Sequence, residues 1–99
     1  MRKDKANFMI YIVSYDLIEP GQKYEELIEL IKQDGKWARL GGSAYLVVSD
    51  ATAVELRERY KEALNGNDKL YVGRVSTPAA WYGMPESVSK WIKEELNNE

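Results

Sequence analysis

Phe8-Met9-Ile10-Tyr11-Ile12-Val13-Ser14-Tyr15-Asp16-Leu17 is the stretch from which the fold can be read. Alternation puts Met9, Tyr11, Val13 and Tyr15 on one face and Ile10, Ile12, Ser14 and Asp16 on the other. Both faces are apolar at the start, the mark of a central strand covered on two sides. The polar residues come last, where the strand leaves the sheet, and Pro20-Gly21 then breaks the chain.

Beyond the break the period changes. Tyr24, Leu27, Ile28 and Ile31 recur at helical spacing, so a helix is expected over about Gln22–Gln33, with Glu25 and Glu26 near its positive end and Gly35 as its stop. Lys36–Leu40 and Ala44–Ser49 then read as a hairpin around Gly41-Gly42-Ser43. The second of these strands is apolar on both faces and is expected beside the first. Thr52-x-x-Glu55 is a capping box opening a helix over Ala53–Leu64, with Glu55 and Arg59 as an expected surface pair. Lys69–Ser76 is the fourth strand. A last helix, 85–96, carries Val88, Trp91, Ile92 and Leu96 on one side, and residues 1–7 read as an N-terminal arm.

The order β-α-β-β-α-β followed by a helix predicts a single α+β domain, a ferredoxin-like βαββαβ sandwich with an extra C-terminal helix. Two helices on one face of four strands leave the other face bare, and Ile10 and Ile12 require that it be covered, by the C-terminal helix or by a second subunit. A small open three-stranded sheet with a swapped C-terminus is the alternative.

Composition narrows the chemistry. The 99 residues include no cysteine and no histidine, which removes disulfides, thiolate nucleophiles, Ser-His-Asp triads and zinc-finger ligand sets. Any catalysis must use carboxylates, hydroxyls, Lys, Tyr or a hard cation. A formal charge of −2 means that nucleic acid binding needs a local patch set against an acidic background. No segment has the roughly 18 apolar residues of a spanning helix, and a cytoplasmic protein with no membrane partner is expected.

Asp16, at the carboxyl end of a central strand, is the candidate catalytic residue and the candidate ligand for Mg²⁺ or Mn²⁺. The plainer role for it is to end the strand and cap the turn after it. Ser14, Arg39, Ser43 and Arg74 are the candidate substrate-binding residues, able to line a phosphate site if their strands are neighbours. Gly41-Gly42-Ser43 offers backbone N–H groups to an anion, although a hairpin turn explains it equally well. Lys3 and Lys5 belong to a solvated arm or touch phosphate. Trp37, Trp81 and Trp91 are each able to stack on a base, although Trp91 is expected in the core and Trp81 at an interface.

A first strand ending in Ser14-Tyr15-Asp16-Leu17, then a helix, then a hairpin with Ser43 in it, resembles the CRISPR-associated adaptation proteins. These are the ferredoxin-like small partners of the spacer integrase. The chain looks closer still to small bacterial proteins of the "SinR-like" group, which share Ser14-Tyr15-Asp16-Leu17, Pro20-Gly21-Gln22 and Asn67-Asp68-Lys69-Leu70, and the regions around Ala80-Trp81 and Trp91 also fit. The likeness covers about Ile10 to Leu96. It implies a ferredoxin-like homodimer whose strand-end Asp, carried here by Asp16, binds the metal for phosphodiester cleavage. The chain departs from the adaptation proteins in Leu17-Ile18-Glu19-Pro20, which lacks their basic character, and in its acidic first helix. Three functions follow as expectations: a metal-dependent endonuclease or its inactive remnant, a non-catalytic dimer binding a nucleotide or nucleic acid, and a protein-interaction partner.

Overall fold

In the computed structural model, which describes residues 8–17 and 24–97, a four-stranded antiparallel sheet lies between two helices on one face and one on the other. In chain order the elements are β1 (Met9–Asp16), α1 (Tyr24–Lys32), β2 (Trp37–Gly41), β3 (Ala44–Ser49), α2 (Ala53–Tyr60), β4 (Lys69–Val75) and α3 (Glu86–Asn97), with a short 3₁₀ turn at Lys61–Ala63. The sheet order is β2-β3-β1-β4, and the whole is an α+β architecture compatible with a ferredoxin-like fold. The expected arm at residues 1–7, the Pro20-Gly21 break and the first residues of the expected first helix lie outside the described residues.

β1 is central, as its two apolar faces require. It pairs with β3 from Met9↔Ser49 to Ser14↔Ala44 and with β4 from Ile10↔Val75 to Asp16↔Lys69. Its odd-numbered side chains enter the larger core: Tyr11, Val13 and Tyr15 meet Leu27 and Ile31 of α1, Leu56 and Tyr60 of α2, and Tyr45 and Val47 of β3. Tyr60, Leu27, Ile31 and Leu56 are wholly buried. The even-numbered side chains enter a smaller core under α3, where Ile10 and Leu46 contact Ile92 and Leu96 with Val88, Trp91 and Trp81 around them.

Thus α3 covers the face that two helices leave bare, and within the single chain. Lys36 ties α3 to the edge of the sheet through Glu95 at 3.2 Å, a carboxylate held largely out of solvent. Trp81, expected at an interface, is half-buried and packs within the chain beside α3, its indole N–H donating to Ser89 Oγ at 3.0 Å.

Local chemistry accounts for the element ends. The capping box of α2 is complete, since the Glu55 N–H donates to Thr52 Oγ1 at 3.1 Å and the Thr52 N–H donates to Glu55 Oε1 at 2.8 Å. Thr52→Ala is therefore expected to cost about 1 kcal/mol and lower the melting temperature by about 4–8 °C in a thermal scan. Gly35 follows α1 at φ 121°, and a Cβ there would lie 3.2 Å from the Val48 carbonyl oxygen, so the tight passage into β2 suits glycine. Arg59 does not form the expected helix-surface pair. Glu55 is engaged by the cap, and Arg59 reaches the buried carboxylate of Asp34, which also accepts the Tyr60 hydroxyl at 2.5 Å. This cluster joins the end of α1 to α2.

Candidate functional site

Cross-strand register sorts the expected site residues by face, because residues directly opposite one another project to the same side. Ser14 and Asp16 share the α3 face with Ala44, opposite Ser14 on β3, and with Tyr71 and Lys69, opposite Ser14 and Asp16 on β4. Burial along that face falls steadily. Ile10 is buried, Ile12 and Ser14 are partly exposed, and Asp16 is exposed. α3 thus covers one half of the face, and among the described residues exposure rises towards the half that ends in Asp16.

Ser43 belongs to this end of the sheet. Its carbonyl accepts the Tyr15 N–H at 3.0 Å in the turn between β2 and β3. The two arginines do not join it. Arg39 pairs in register with Tyr45 and so lies on the α1–α2 face, where its guanidinium donates to the Gly42 carbonyl at 3.2 Å. Arg74 is opposite Tyr11, also on the α1–α2 face, and five residues of strand, roughly 16 Å, separate that position from Asp16. The strands are neighbours as expected, but Ser14 and Asp16 are brought together without Arg39 or Arg74.

Trp37 is partly exposed on edge strand β2. It is already engaged, its ring 5.9 Å from Tyr45 and the Lys32 ammonium 4.5 Å above it. Tyr15 sits under the sheet with its ring 5.8 Å from Tyr24. Burial first, and the neighbouring Tyr45 second, hold its hydroxyl above the ordinary range, so it remains protonated near neutral pH.

Among the described residues no three carboxylates gather into a metal-ligand group. The donor chemistry around Asp16 nevertheless suits a hard cation. An exposed carboxylate with a hydroxyl two residues along the same face supplies one or two oxygens, and water or phosphate oxygens complete such a shell.

No family model matches the chain. Comparison with curated proteins and with solved structures likewise finds no match.

Two features were not singled out from the sequence. One is Tyr71, 66% exposed in the middle of β4. Its ring lies back along the strand over Gly73, where an added Cβ would come within 2.7 Å of it. The signal was present in Lys69-x-Tyr71-x-Gly73, three positions on one face with the glycine two residues beyond the aromatic. The other is a cleft of about 340 Å³ between the end of α2 and the start of β4, with Arg57, Lys61, Asn65 and Asp68 on its walls. Glu58 engages both of its cations, Arg57 at 2.9 Å and Lys61 at 3.5 Å, which damps the field of the cleft. The described residues contain no helix long and apolar enough to cross a membrane.

Proposed function

We propose that this chain is a ferredoxin-like cytoplasmic module that works as a homodimer on nucleic acid phosphodiesters, with the open half-face ending in Asp16 as its working surface. The observation that carries this reading is the exposed carboxylate of Asp16 at the end of the central strand, with Ser14 beside it on a half-face that α3 leaves uncovered. The likeness of Ser14-Tyr15-Asp16-Leu17 to the CRISPR-associated adaptation proteins supports the same surface.

In this reading Asp16 holds Mg²⁺ or Mn²⁺, and one carboxylate per chain becomes a pair when two copies face one another across a twofold axis. When bound, the cation supplies Lewis acidity and an activated water. Asp16 anchors it, the Ser14 hydroxyl and the Ser43 turn approach the phosphate, and Lys69 offsets negative charge opposite Asp16. Arg39 and Arg74, on the other face, serve a surface apart from this one.

Binding without cleavage is the second reading. It is favoured by the absence of any three-carboxylate group among the described residues. Labelled single-stranded RNA, single-stranded DNA and duplex DNA, each with Mg²⁺, Mn²⁺ or EDTA, separate the two. Cleavage that needs metal supports the first, retention of an intact strand supports the second, and a protein that neither cuts nor retains any of them is not a nucleic acid module. Arg39→Ala and Arg74→Ala are expected to leave any cleavage within about twofold of the parent, since each lies off the Asp16 face.

A further inference from the structure

Tyr71 is placed in a way that the other exposed apolar side chains are not. Tyr82 is 98% exposed beside Gly83 outside the regular elements, Val54 lies on α2 beside Glu55, and Trp37 is taken up by Lys32 and Tyr45. Tyr71 stands on the sheet at 66% exposure, against 39% for Trp37, with its ring laid over Gly73. A glycine inside a strand weakens the strand and marks a place where something comes close to the backbone. Here the Cε2, Cζ and hydroxyl end of the ring comes close, so that end is held near the sheet while much of the side chain remains in water. A side chain supported in this way loses little further freedom when a flat ligand settles on it.

The neighbours of Tyr71 on that face are Ser14 directly opposite and Lys69 two residues along its own strand, with Asp16 opposite Lys69. Lys69 and Asp16 offset one another, so the half-face has an aromatic surface, a hydroxyl and little net charge. That suits a base better than a bare phosphate backbone. A base inside a duplex has both of its faces already stacked, and only an unpaired one offers a face to a side chain.

We infer that the open half-face binds single-stranded nucleic acid through stacking of one base on Tyr71, with the backbone running from there towards Asp16. This rests on the reading of the half-face as a nucleic acid surface and adds its substrate form and its anchoring residue. Because stacking carries the contact, affinity depends only weakly on salt, with the slope expected of about one or two phosphate contacts.

The test is anisotropy of fluorescein-labelled 12-nucleotide RNA and DNA strands, and of the matching duplex, in EDTA so that nothing is cut. The intact chain is compared with Tyr71→Ala, Tyr71→Phe and Gly73→Ala, and the mass of each in solution is measured alongside. Single strands are expected to bind more tightly than duplex. Tyr71→Ala is expected to weaken binding roughly 5- to 100-fold and Tyr71→Phe less than threefold. Gly73→Ala, whose new methyl displaces the ring from its seat, is expected to lie between them. Equal affinity of Tyr71→Ala and the parent, or equal affinity for duplex and single strand, overturns the stacking role and leaves the nucleic acid reading standing. A mass halved by Tyr71→Ala overturns it as well, by assigning the ring to a contact between copies. Failure of the parent to bind any of the three polymers removes the nucleic acid reading itself.

Discussion

Tyr60→Ala is expected to lose about 3–5 kcal/mol of folding stability, read from the urea midpoint of a circular dichroism titration. The side chain is wholly buried between α2 and the sheet, and its hydroxyl donates to Asp34. Truncation leaves a ring-sized void and strips a buried carboxylate of one donor. A domain of this size has about 5–15 kcal/mol in total, so the variant falls close to the limit of folding. A loss below about 1 kcal/mol would show that the void collapses and that Asp34 finds another partner. Tyr60→Phe separates the two effects, since it keeps the packing and removes only the donor, for about 1–3 kcal/mol.

The same hydroxyl gives a pH signature. Burial pushes it up to about 12 from its ordinary 10.0. Below pH 10 it is protonated in both the folded and the unfolded chain, and its contribution is fully present. Between about pH 10 and about pH 12 the unfolded chain gives up that proton while the folded one keeps it, so stability falls as pH rises. The measured quantity is the difference between the parent and Tyr60→Phe, which isolates this hydroxyl. It should shrink across the window and stay flat below it.

Asp16→Asn is expected to reduce metal-dependent cleavage by about 100-fold or more, the scale on which losing one directly acting catalytic group is felt. The substitution preserves shape and removes the charge that would hold the proposed cation. Asp16 is exposed at a strand end, so the fold should survive, with a melting temperature within about 3 °C of the parent. Equal cleavage by the parent and Asp16→Asn would take the metal away from Asp16. In EDTA the variant should bind a single strand at least as well as the parent, because a negative charge beside the strand has been removed.

Much of the fold is legible in the residues because local signals and burial agree. The two apolar faces of Phe8–Leu17 place β1 at the centre, the apolar pair at Tyr45-Leu46 and Val47-Val48 places β3 beside it, and Val88, Trp91, Ile92 and Leu96 give α3 the apolar stripe that makes it one of the two covers the second face admits. Side-chain partnerships were less accessible. Spacing favours Glu55–Arg59, but a cap holds Glu55 and a buried carboxylate from another element attracts Arg59 more strongly than a solvated one on its own helix.

The candidate site was legible only in part, for a reason of register. Ser14 and Asp16 share a face by simple alternation within one strand. Whether Arg74 joins them depends on how β4 aligns with β1, and both parities of Lys69–Val75 carry apolar residues: Leu70 and Val72 on one, Tyr71 and Val75 on the other. With no polar face to mark, the strand does not announce which side it turns to the helices. Arg39 is ambiguous in the same way, since a register shift between Arg39 and Gly41 interrupts the alternation of β2. Tyr71 escaped notice because a tyrosine in a strand reads as core, and only the bare backbone of Gly73 beneath it makes an exposed seat.

The central claim is that nucleic acid meets this chain on the open half of the α3 face. Amide shift mapping tests it most directly, with ¹⁵N-labelled protein titrated by an unlabelled single strand in EDTA. The expected result is a contiguous set of perturbed amides at Ser14, Asp16, Ala44, Lys69 and Tyr71, with Trp37, Arg39 and Arg74 unmoved. Perturbations gathered on Trp37 and Arg39, or none at saturating strand, would contradict it.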